Sequence, residues 1–137
     1  MLSPAHLTGC FRALLLLGAG VGVVLLLGPF QGLERSVGLS DAAAHGIAFY
    51  LLTVGLFLSA PKWRRTDLAL VAAGLAIVSE VAQALAGRGA DPVDLLFDLT
   101  GVCAAIAPGL AERLRHHARA HPNLSFRAIR LVNRRLR

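Results

Sequence analysis

Residues 11–30 read FRALLLLGAGVGVVLLLGPF, twenty residues whose only charge is Arg12. At about 1.5 Å of rise per residue this run makes a helix of about 30 Å, the thickness of a bilayer's hydrocarbon core. It has no polar face to turn toward water, which a helix on a soluble domain would need. Three further runs of similar size follow: Ala42 to Ala60, Leu68 to Ala86 and Val93 to Leu110. The expected fold is therefore all-α, an integral membrane four-helix bundle with short loops. Residues 1–110 form the membrane domain and residues 111–137 a basic tail.

Composition agrees. Hydrophobic residues make up 55% of the 137-residue chain and charged ones 16%, with a mean hydropathy of +0.63. The connections carry breakers where helices should stop: Pro29 and Gly32, then Pro61, then Gly87, Gly89 and Pro92. Small residues are dense in the spans, among them Gly18, Gly20, Gly22, Ala72, Ala73, Gly74, Gly101, Ala104 and Ala105, and such residues let membrane helices approach closely. Asp91, Pro92 and Asp94 read as an N-cap, a first-turn proline and an acidic first turn, so the fourth helix should begin at Pro92.

Loop charge sets the orientation. Lys62, Arg64 and Arg65 lie in the second connection and Arg113, Arg115, Arg119, Arg127, Arg130, Arg134, Arg135 and Arg137 in the tail, against only Arg35 and Arg88 in the other two loops. Basic loops stay on the cytoplasmic side, which puts both termini there. A cleaved signal peptide ending near Gly28 is the minor alternative, and no small-x-small cleavage site stands at the end of the first run. The fourth helix should continue through Glu112 to Ala120, where His121 and Pro122 break it. From Ser125 onward Phe126, Ile129, Val132 and Leu136 share one stripe, which fits a helix lying on anionic lipid of the inner leaflet; a disordered basic tail is the alternative.

The net charge of +6 and pI of about 11.0 do not indicate nucleic-acid binding, because the basic residues flank apolar runs instead of forming a face interleaved with aromatics. Cys10 and Cys103 lie at the start of the first run and inside the last, with no disulfide framework. Leu7-Thr8-Gly9-Cys10 imitates a lipoprotein cleavage box but precedes its hydrophobic stretch instead of following it. No cofactor and no metal ligand is expected: His116, His117 and His121 lie among arginines on what reads as a solvated face, and Ser59 and Asp67 read as loop-edge residues.

The polar residues within the spans are not scattered. Asp41 and His45 open the second helix, Glu80 and Gln83 lie near the end of the third, Arg88 and Asp91 are in the loop, and Asp94 and Asp98 open the fourth. The orientation gathers all eight at the outer end. Spacings of three and four place each set on one helical stripe, so three helices can direct them into a shared acidic pocket. The first helix contributes none and serves packing and anchorage. Five carboxylates face one arginine and one histidine, so either some acids carry protons or a cation, metal or amine offsets them. Several members have structural explanations: Asp91 and Asp41 as helix caps, Asp94 in a favourable first turn, Arg88 as an interfacial anchor, His45 as a satisfied interior histidine. Glu80, about 10 Å inside its helix end, and Asp98, beyond its helix's first turn, are too deep for capping.

Taken together, Asp41-x-x-x-His45, Glu80-x-x-Gln83 and Arg88-x-x-Asp91-x-x-Asp94-x-x-x-Asp98-x-x-Gly101 resemble the VanZ-like family of small bacterial membrane proteins. The resemblance covers Asp41 to about Pro108, roughly half of the chain. Three positions differ from the family's usual pattern: Ala42 stands where Lys is common, Asp98 where Asn is, and Ala105 where a second Gly is frequent. The first two make this site more acidic. The resemblance implies a four-span fold and a place in the bacterial cell envelope; the family takes its name from a protein associated with teicoplanin resistance, a property that does not transfer with the motifs. The expected function is binding of a lipid headgroup, glycan-lipid or basic ligand by Asp41, His45, Glu80, Gln83, Arg88, Asp91, Asp94 and Asp98. The alternatives are a membrane enzyme acting on a lipid-linked substrate, with Glu80, Asp98 and His45 as acid-base groups, and a proton- or ion-coupled carrier.

Overall fold

The computed structural model describes residues 4–27, 33–36, 38–87 and 91–120. Among them the chain is entirely helical: α1 (Pro4–Leu27), α2 (Leu33–Ser36), α3 (Asp41–Ser59), α4 (Arg65–Leu85) and α5 (Pro92–Ala120). The four longer helices are each long and apolar enough to cross a membrane. They match the four expected spans: α1 begins at Pro4 instead of Phe11 and α4 at Arg65 instead of Leu68, while α5 runs from Pro92 to Ala120 as expected. The single turn of α2 was not expected. Residues 28–30 at the end of the first expected span, Arg88, and the tail helix expected from Ser125 lie outside the described residues.

Local chemistry sets the helix ends. Ser40, not Asp41, caps α3, its Oγ accepting from the Ala43 N–H at 3.2 Å, so Asp41 is the first helical residue. Asp91 caps α5 as expected: its Oδ1 accepts from the Val93 N–H at 2.8 Å and its carbonyl from the Leu95 N–H at 3.2 Å, with Pro92 between. Beyond α4, Gly87 takes the left-handed conformation (φ 76°) that glycine adopts without penalty after a helix end. At the C-terminus of α3, where carbonyls lack helical partners, Arg12 Nε of α1 donates to the Ser59 carbonyl at 2.9 Å. Ser59, at the edge of the loop as the last residue of α3, is buried there.

The chain forms two compact units, residues 1–106 and residues 107–137. In the second, the described part of α5 is mostly exposed and holds an exposed Arg115–Glu112 pair at 3.7 Å, a contact worth little in water. In the first unit, α3 runs antiparallel to α1, with Leu15 against Gly55 and Arg12 at Ser59, and parallel to α5. The α3–α5 contact is made by backbone. A Cβ on Gly101 would overlap the Gly46 carbonyl oxygen and lie 2.9 Å from the Tyr50 nitrogen, and one on Gly46 would lie 3.2 Å from the Phe97 carbonyl oxygen. The other glycines expected to serve close approach behave differently: around Gly18, Gly20, Gly22 and Gly74 nothing lies within 4 Å of a Cβ position. The face that α4 buries, Ala69, Ala72, Ala76, Glu80 and Gln83, keeps helical spacing and passes from alanine to polar residues toward its C-terminus.

Burial is inverted relative to a water-soluble fold. Among the described residues the buried ones include Thr53, Ser59, Glu80, Gln83, Asp94 and Asp98 beside only six hydrophobic ones, while Leu14, Leu16, Leu17, Leu70, Val78, Leu85 and Leu96 are exposed. Water would penalise that outer surface by about 25 cal/mol per Å², whereas a hydrocarbon solvent carries no such penalty. Three hydroxyls within the spans satisfy themselves locally, Thr53 and Thr100 to the carbonyls of Phe49 and Leu96 at 2.7 and 2.8 Å, and Ser79 to that of Ala76 at 2.7 Å, whereas the buried Ser59 Oγ has no partner among the described residues.

Candidate functional site

The parallel α3 and α5 bring their first turns side by side, and the end of α4 arrives beside them. Their polar residues meet there. His45 Nδ1 lies 3.0 Å from Asp98 Oδ1, with Asp98 fully buried and the imidazole nearly so. The other ring nitrogen, Nε2, faces Asp41 Oδ1 one turn earlier on α3 at 4.0 Å. From α4, Glu80 Oε2 accepts the Asp91 N–H at 3.0 Å, so a buried carboxylate sits at the amide-rich start of α5. One donor atom from each of His45, Glu80 and Asp98 lies within 4.8 Å of the others, and the same is true of Asp41, His45 and Asp94. His45 is common to both sets.

Two oxygens stand out. Glu80 Oε1 and Asp98 Oδ2 are buried and have no hydrogen-bond partner among the described residues. A buried carboxylate oxygen without a donor costs on the order of 1–3 kcal/mol or more, so a cluster carrying two of them is built to hold a proton, a donor group or a cation. The His45–Asp98 pair also has the separation needed for proton transfer between an imidazole and a carboxylate.

Of the eight expected site residues, His45, Glu80, Asp98, Asp41 and Asp94 are brought together. Gln83 is buried one turn beyond Glu80 on the same face. Asp91 takes part through its backbone N–H while its exposed side chain caps α5. Asp41 is 65% exposed at its side chain and forms the outer edge of the cluster. His116 and His117 join no metal-capable cluster among the described residues.

Three features escaped the sequence reading: the Gly46–Gly101 backbone contact, the Arg12–Ser59 bond and the Glu80–Asp91 N–H bond. Only the first left a signal, since each glycine closely follows a site residue, His45 or Asp98, on a neighbouring helix. In comparisons with known proteins, no family model matches this chain, and no curated protein and no solved structure shows significant similarity to it.

Proposed function

We propose that this chain is a VanZ-like multi-pass protein of the bacterial cytoplasmic membrane whose acidic site binds a lipid headgroup, glycan-lipid or basic ligand at the outer face. The observation that carries this reading is the pair of oxygens on Glu80 and Asp98 that have no partner among the described residues, buried between helices whose outer surfaces are apolar. Sugar hydroxyls and ammonium groups donate the hydrogen bonds that such oxygens lack. Placement at the outer face rests on the concentration of Lys62, Arg64 and Arg65 at the opposite ends of α3 and α4.

Two measurements test it. With Cys10 and Cys103 replaced, a membrane-impermeant maleimide applied to intact cells should label Ala86→Cys and spare Lys62→Cys; the reverse pattern would overturn the orientation. In nanodiscs containing phosphatidylethanolamine and a glycolipid, native mass spectrometry should find one of them retained by the parent protein and lost from Glu80→Gln. Equal retention by both proteins would remove the site from headgroup binding.

The 3.0 Å His45–Asp98 contact favours a second reading, a membrane enzyme in which this pair and Glu80 perform acid-base chemistry on a lipid-linked substrate. Glu80→Gln should then abolish turnover while leaving the protein folded and inserted.

A further inference from the structure

The excess of carboxylates in the sequence leaves a metal as one way to balance the cluster, and the buried half of the site has the donor set of one. We propose that His45, Glu80 and Asp98 bind a first-row divalent cation of the zinc or manganese kind, an inference that goes beyond headgroup binding and does not depend on it.

Three observations combine. The donors come from three different helices and lie within 4.8 Å of one another, against about 3.4 Å between donors around a tetrahedral zinc with bonds near 2.1 Å. One pair, His45 Nδ1 and Asp98 Oδ1, already stands at 3.0 Å. Glu80 is 5% exposed and Asp98 not at all, and each keeps an oxygen with no partner among the described residues. Charge closes as well: two carboxylates and a neutral imidazole balance a 2+ ion, which removes the cost of two buried anions side by side.

An imidazole with two carboxylates suits Zn²⁺ and Mn²⁺ better than Ca²⁺, which takes six to eight oxygens. With Nδ1 on the ion, His45 Nε2 would carry the proton and face the exposed Asp41 carboxylate 4.0 Å away, a longer-range electrostatic neighbour outside direct hydrogen-bond reach. Three protein ligands leave coordination positions open, and those would accept a water or an oxygen of a bound molecule.

The test uses the full-length protein, stripped with chelator in detergent and titrated separately with Zn²⁺ and Mn²⁺, no lipid ligand being added. One equivalent per chain should survive gel filtration. Glu80→Gln and His45→Ala should each lower the affinity at least tenfold, and Asp41→Asn should lower it less. The Mn²⁺ form should show nitrogen coupling by electron spin echo spectroscopy that is absent from His45→Ala. A variant with His116, His117 and His121 all changed to Ala should bind as the parent does. No stoichiometric binding of either ion, equal binding by Glu80→Gln, or loss of binding in the tail-histidine variant would overturn the proposal. Glu80→Gln is nearly isosteric, so its monodispersity and helical circular dichroism separate a lost ligand from a lost fold. Headgroup retention is measured without added metal, so either proposal can fail alone.

Discussion

Asp98 shows how a single residue divides its work between fold and site. Fully buried, it takes one contact from His45 and leaves its second oxygen unpartnered among the described residues. Asp98→Asn keeps the shape and an oxygen for His45, so stability in detergent should change by less than about 1 kcal/mol while any cation affinity falls. Asp98→Leu removes the polar partner and strands His45; a loss on the order of 1–3 kcal/mol is expected in an SDS or thermal unfolding titration. Both Asp98 and Glu80 were legible in the sequence because depth along an apolar helix left them no capping role. What Glu80 bonds was not legible: the Asp91 N–H is eleven residues away, across a connection whose path no periodicity encodes. Nor was the cap of α3 assigned to the right neighbour, because Ser40 and Asp41 are both good N-caps and backbone geometry chose between them.

At the scale of elements, the parallel contact of α3 with α5 is the interaction most sensitive to one carbon atom. Gly101→Ala would drive a methyl group into the Gly46 carbonyl, and neither partner has a side chain to move aside. We expect it to separate the helices and lower stability by about 1–3 kcal/mol, with the polar cluster disturbed alongside. Gly20→Ala on α1 meets nothing within 4 Å and should be neutral, or stabilising by up to about 1 kcal/mol through helix propensity. Paired thermal melts of the two variants check this contrast; similar losses in both would mean that glycine content, not the crossing, matters. Sequence alone could not separate these glycines, since GAGVG in α1 looks as suited to close packing as any segment. The expected spans fell short at the starts of α1 and α4 for a related reason. Hydropathy measures what hydrocarbon covers, whereas Arg65, Thr66 and Asp67 extend α4 with polar side chains.

For the whole molecule, the arrangement of apolar surface outward and carboxylates inward carries a prediction about solvent. Transfer from detergent to plain buffer should aggregate the protein, because Leu14, Leu16, Leu17, Leu70 and Leu96 are exposed among the described residues. Light scattering on detergent removal measures it, and a monodisperse protein in buffer would contradict the membrane assignment. The presence and order of the four long helices were legible because about 20 apolar residues are needed to span a bilayer and little else produces such runs. The short α2 was not, since one turn of helix leaves no periodic trace.

The glycine contact also governs what the site can admit. Because main chain meets main chain between α3 and α5, the gap separating His45 from Asp98 behaves as a fixed jaw that substitutions on neighbouring side chains cannot widen. The opposing jaw is α4, which packs through the small side chains of Ala69, Ala72 and Ala76 and delivers Glu80 at its far end. Enlarging those alanines, and not altering the acids, is therefore the route by which this scaffold would be retuned for a bulkier guest.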